Sequence, residues 1–138
     1  MEREAKCLCG ELSIKVLGNP KLSLACNCTN CQRRTGSVFG VGAYFENSQV
    51  VEKKGTPKHF QVKTDSGNKI TSSFCANCGS TVFWQAEIFQ GFTAIAVGCF
   101  TEPDFPAPSA SVWNQSKYDW VEFPEHWHKM QKQEPKNA

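Results

Sequence analysis

Eight cysteines stand in this chain of 138 residues, and seven of them fall into three short clusters. The clusters read Cys7-Leu8-Cys9, Cys26-Asn27-Cys28-Thr29-Asn30-Cys31 and Cys75-Ala76-Asn77-Cys78, with Cys99 standing apart. Thiols two or three residues apart are better placed to share a thiophilic metal than to pair with distant partners. An even count also permits a disulfide framework. Against that, the first residues carry charges at Glu2, Arg3, Glu4 and Lys6 and no apolar stretch resembling a signal peptide. A cytoplasmic location is therefore expected, where thiols stay reduced and clustered cysteines are more often metal ligands.

Seven thiols divide into four plus three, and the two numbers imply different chemistry. A structural zinc site is closed by four protein ligands, whereas a catalytic one keeps a position open. Cys75-x-x-Cys78 followed by Gly79 looks like a zinc knuckle that needs two further ligands. Either Cys7 and Cys9 or two of Cys26, Cys28 and Cys31 supply them. Spacing favours Cys7 and Cys9, which leaves an intact trio for a second metal and predicts two zinc ions per chain. A zinc held by three thiolates is a modest Lewis acid, suited to keeping an incoming thiol as thiolate rather than to making hydroxide. On this reading Cys26, Cys28 and Cys31 are the catalytic cysteines.

Other residues near the trio suggest what it would act on. Arg33 and Arg34 are candidates for clamping a carboxylate bidentately, against the plain alternative of a solvated surface pair. Thr35, Gly36 and Ser37 read as turn chemistry beside the metal. Zinc also accepts imidazole, but His59, His126 and His128 read as surface histidines by default. Cys99, in the apolar run from Ala94 to Phe100, reads as a small buried hydrophobe.

The elements that must position these groups are strands. Leu12, Ile14 and Val16 alternate with polar residues, Gly18-Asn19-Pro20 breaks the run, and Leu22, Leu24, Cys26 and Cys28 resume it. That alternation predicts Cys26 and Cys28 on one strand face, with Cys31 returning after a turn. Further strands are expected over Val38–Phe45, Val50–Glu52, Phe60–Lys63, Ile70–Phe74, Thr81–Ala86, Thr93–Val97 and Ser111–Asn114. Gly40 and Gly42 hint at close backbone approach within one of them. No stretch of helical period has convincing length. The expected class is mostly β in one domain over residues 1–125, with residues 126–138 a polar, loose tail. Fifteen basic against 13 acidic side chains leave a formal charge of +2, too balanced to imply a nucleic-acid partner or an anionic membrane surface. No apolar run approaches the roughly 18 residues needed to cross a bilayer.

The ordered set Cys7-x-Cys9-Gly10, Cys26-x-Cys28-x-x-Cys31-x-Arg33-x-Thr35-Gly36-Ser37 and Phe74-Cys75-x-x-Cys78-Gly79-Ser80 resembles the glutathione-dependent formaldehyde-activating enzymes, the centromere protein V/GFA-type domain. Val97-Gly98, Pro103 and Trp120 extend the likeness over nearly the whole chain. The resemblance implies a zinc-stabilised β-tent of short antiparallel strands. It implies a structural zinc on Cys7, Cys9, Cys75 and Cys78 and a catalytic zinc on Cys26, Cys28 and Cys31. The implied activity is that of a carbon–sulfur lyase, adding a glutathione-like thiol to formaldehyde or a related small aldehyde to give S-hydroxymethylglutathione. Two other readings fit the same residues: a non-catalytic zinc-binding interaction module, and a thiol redox or metal-transfer protein.

Overall fold

The structure, a computed structural model, describes residues 1–132. Its strands are β1 (Glu2–Lys6), β2 (Ser13–Leu17), β3 (Leu22–Cys26), β4 (Gly40–Glu46), β5 (Val50–Lys54) and β6 (Pro57–Lys63). These are followed by β7 (Lys69–Cys75), β8 (Thr81–Ala86), β9 (Phe92–Ala96), β10 (Ala110–Val112) and β11 (His128–Lys129). One α-helix, α1 (Thr29–Thr35), interrupts them. The mostly-β class read from period-two alternation is the class observed. None of the described helices is long and apolar enough to cross a membrane.

Two sheets share the strands. β1, β2 and β5 form the smaller, and the larger runs β11-β10-β3-β4-β9-β8-β7-β6. Pairing is antiparallel except where β10 lies parallel to both β3 and β11. The alternation of β4 decides which side chains go where. Ala43 and Phe45 are fully buried in the main core with Ile14 and Val16 of the small sheet and Ile95 of β9. Gly40, Gly42 and Tyr44 occupy the opposite face, opposite Cys26, Leu24 and Leu22 of β3. Burying that apolar set between the sheets is the main term holding them together.

Three elements depart from the sequence reading. β1 is charged at four of its five residues, yet it pairs along its whole length with β2. Its inward Arg3 is buried but satisfied, by Glu102 at 3.2 Å, Asn19 at 3.1 Å and the Gly18 carbonyl at 3.3 Å. α1 buries no residue, so it has no apolar period to read. It is held by its ends, with the Cys28 sulfur capping its start, Arg33 and Arg34 in its last turn and Gly36 left-handed (φ 69°) after it. The strand alternation therefore stops at Cys26, and Cys28 is a helix cap rather than the next strand position. Finally, β11 lies within the segment expected as a loose tail and pairs with β10; residues 133–138 fall outside the described residues.

Gly55 fixes the link between the two sheets. Its φ is +92°, and a Cβ there would collide with the Glu11 carbonyl. Gly55→Ala is expected to lower stability by about 2 kcal/mol or more, because strain and collision add. Gly67→Ala, at φ +90° but in open space, is expected to cost only about 1 kcal/mol. Thermal melting of the two variants checks both values.

Candidate functional site

Four sulfurs meet where two hairpin turns touch. Cys7 and Cys9 lie on the turn between β1 and β2, and Cys75 and Cys78 on the turn between β7 and β8. All four Sγ atoms lie within 4.8 Å of one another. Cys7 to Cys9 and Cys9 to Cys75 are each 3.7 Å, nearly twice an S–S bond of about 2.05 Å. A tetrahedron of sulfurs about 2.3 Å from a zinc ion has edges of about 3.8 Å. The cluster thus has the size of a metal site and not that of a disulfide.

Hydrogen-bond donors converge on it. The Leu12 amide donates to Cys7 Sγ at 3.2 Å, and the Asn77 and Cys78 amides donate to Cys75 Sγ at 3.3 and 3.5 Å. The Ser80 hydroxyl lies 3.3 Å from Cys78 Sγ and accepts from the Leu8 amide across the junction. That hydroxyl, with the Ser80 amide, brings the Cys78 thiol down to about 5. Gly79, left-handed at φ +83°, completes the turn that aims these amides. The tight turn of Cys75-x-x-Cys78-Gly79 brings its two sulfurs beside those of Cys7 and Cys9, and the four together could hold a metal ion.

The second cluster is built at the end of β3. Cys26 closes the strand, Cys28 caps α1 and Cys31 sits in its first turn, and their three Sγ atoms lie within 4.8 Å of one another. The Cys31 amide donates to Cys28 Sγ at 3.3 Å. Hydrogen bonds from the Cys26 and Cys31 thiols and from the α1 amides pull Cys28 down to about 3. Giving those hydrogen bonds pushes Cys26 far up. Cys31, although lowered by Cys26, is raised to about 11 by Cys28 and burial. The surroundings thus favour negative charge on Cys28 over Cys26 and Cys31. A donor set of three thiolates with no imidazole or carboxylate fits a thiophilic ion such as zinc.

Asn27 locks this loop in place. It is fully buried, and both its backbone N–H and its side-chain amide donate to the Val112 carbonyl of β10. Gln32 spans Asn27 and Ser116, donating to their carbonyls at 2.9 and 3.2 Å. Thr35 keeps to turn chemistry, its hydroxyl donating to the Cys31 carbonyl and accepting from the Ser37 amide.

Both clusters lie at one end of the large sheet, where a cleft of about 500 Å³ opens beside Cys78 of the four-sulfur cluster and Arg34 of α1, with none of Cys26, Cys28 and Cys31 among its walls. Arg34, Phe39, Gly40, Cys78, Gly98 and Cys99 are among its walls, and its size suits a small ligand. The two arginines separate here. Arg33 is exposed, while Arg34 is half-buried with its guanidinium 4.2 Å above the Trp84 ring. Gly40 and Gly42 are the close approaches expected of them: a Cβ on Gly42 would lie 2.7 Å from Trp84, and one on Gly40 2.8 Å from Arg34 Nη2.

Tyr44 and Trp84 were missed by sequence reasoning. Tyr44 packs in the second apolar cluster with Cys26. Burial pushes its phenol up, the Trp84 indole opposing and the charges of Cys26 and Cys31 reinforcing the shift. Gly42 of β4, against which the Trp84 ring packs, was the only signal. Cys99 is half-buried, directs its sulfur to the Thr81 carbonyl at 3.8 Å and belongs to neither cluster. No histidine joins either sulfur cluster among the described residues; His59 bonds Ser73 at 2.9 Å, and His128 is exposed in β11.

Residues 2–116 match the family of glutathione-dependent formaldehyde-activating enzymes. The chain belongs to this family. A crystal structure of a Rhodobacter sphaeroides protein is similar in fold, with a TM-score of 0.54 at 21% identity over 70% of this chain and 85% of that one. A comparison with the curated proteins returns no match.

The two clusters are expected to respond differently to loss of a sulfur. Cys78→Ser should remove one zinc and leave the protein unfolded or insoluble. A structural zinc contributes on the order of 10–16 kcal/mol in zinc-dependent peptides, and here it would join segments 66 residues apart. Cys28→Ser should remove the other zinc and leave a folded protein. Metal analysis with circular dichroism distinguishes the two outcomes.

Proposed function

We propose that this protein is a zinc-dependent carbon–sulfur lyase that joins a glutathione-like thiol to formaldehyde or a similar small aldehyde. The observation that carries the reading is the contrast between the clusters. One offers four sulfurs and is complete, whereas the other offers three, and Gly40, whose missing Cβ would stand 3.7 Å from the Cβ of Cys31, walls a neighbouring cleft with Arg34. Zinc on Cys26, Cys28 and Cys31 would supply a position at which an added thiol loses its proton near neutral pH. Membership of the family supports the same reaction class.

The chain's own residues have three tasks in this reaction. Arg34 presents its guanidinium to an anionic part of the thiol at the mouth of the cleft, which orients the sulfur. α1 and the Asn27 anchor keep the three sulfurs fixed while substrate enters. Tyr44, packed in the same apolar cluster as Cys26, backs the strand end that carries this sulfur. As the sulfur attacks the aldehyde carbon, a C–S bond forms and the C=O π pair moves to the oxygen. The proton given up by the thiol returns to the oxygen from solvent, and nothing is oxidised or reduced.

The test is exchange spectroscopy of 13C-formaldehyde and glutathione, with and without the zinc-loaded protein. A rate above the spontaneous one, abolished by mild chelation that leaves the fold intact, is the expected result. A rate equal to the spontaneous one at every protein concentration would contradict the proposal.

A further inference from the structure

Arg34 is half-buried, lies over the Trp84 ring, and has no carboxylate partner among the described residues. The ion pairs among the described residues are Arg3–Glu102, Lys6–Glu4, Lys15–Glu52 and Lys54–Glu52. A guanidinium carries five N–H donors in a rigid plane. Here one face of that plane is taken by Trp84, with the guanidinium carbon 4.2 Å from the ring, and the rim remains to be matched. The aromatic stack is deliberate in shape. Trp84 is buried on β8 (7% exposed), and its six-membered ring rests on Gly42, where any Cβ would come within 2.7 Å. Arg34 then lies against Gly40, whose missing Cβ would stand 2.8 Å from Nη2 and 3.7 Å from the Cβ of Cys31. Two bare glycines on alternate positions of one strand thus seat first an indole and then a guanidinium, and the charge ends beside a cysteine of the open cluster.

We propose that Trp84 is a positioning residue that holds Arg34 as the specificity-determining group for a carboxylate of the thiol substrate. The inference rests on the proposed function for the identity of the substrate, but the anion-binding device is independent of turnover. A stacked guanidinium loses little further freedom when it binds, so its hydrogen bonds to a carboxylate are gained at low entropic cost. Arg33, one residue earlier on α1 and exposed, has no such seat and takes no part.

Glutathione and its diethyl ester share one thiol and one backbone and differ in their carboxylates, so their ratio isolates the device. With zinc-loaded protein, kcat/KM for formaldehyde addition should favour glutathione. Arg34→Met should reduce its kcat/KM about 10- to 100-fold through KM, the scale of hydrogen bonds to a charged group, and leave the diester within about twofold. Arg33→Met should change neither. Trp84→Leu should shift the ratio in the same direction as Arg34→Met, and Trp84→Phe, which keeps an aromatic face, should restore most of it. An unchanged ratio in Arg34→Met, or an equal loss for both thiols, would overturn the proposal. Calorimetric binding of the two compounds to the same zinc-loaded proteins separates this from the activity. If no thiol is turned over, the lyase reading fails alone, and preferential binding of glutathione that vanishes in Arg34→Met still sustains the Arg34 assignment. Equal binding of both compounds, or binding of neither, to the unsubstituted protein would refute it.

Discussion

Sulfurs that carry negative charge repel one another, and this fold gathers them. Two unit charges about 4 Å apart repel by roughly 4 kcal/mol at an effective dielectric of 20. Four sulfurs within 4.8 Å of one another cannot all be thiolates without a cation among them. The chain nonetheless aims backbone amides and a serine hydroxyl at these atoms, which stabilise the charged form. A metal ion among the four sulfurs would reconcile the two facts. On this account the sheets are held by apolar burial, and their mutual orientation at the hairpin junction is held by sulfur and zinc.

The second cluster obeys the same electrostatics with one ligand fewer. The start of α1 and two neighbouring thiols favour negative charge on Cys28. The geometry comes from a strand end, a helix cap and a helical turn. These are parts of one short chain segment, anchored to β10 through Asn27. That local construction explains why the cluster can change occupancy without involving the main core, whereas the four-sulfur junction joins the two sheets. The cleft lies at a common end of β4, β8 and β9, walled by Cys78 of the four-sulfur junction on one side and by Arg34 of α1 on the other.

Much of this was legible in the residues. Period-two runs gave the strands, because one face of each is buried against the core. The cysteine spacing gave both sulfur groups, because short spacings constrain where thiols can go. α1 was not legible because it buries nothing and relies on the Cys28 sulfur, Gly36 and the end charges. β1 was not legible because its inward Arg3 is satisfied by partners up to 99 residues away. The roles of Tyr44 and Trp84 depend on which face of β4 holds the glycines and on what β8 lays over them. That is a property of register. For the same reason, the adjacent Arg33 and Arg34 are equivalent in sequence and different in space.

The central claim is that one metal position is sulfur-saturated and the other is not. Zinc K-edge X-ray absorption on the loaded protein, before and after mild chelation, measures this directly. The account predicts two zinc ions per chain with an average of about 3.5 sulfur neighbours, rising to about four when the labile ion is withdrawn and one remains. Four sulfurs around every zinc before chelation, or a single population lost together with the fold, would contradict it.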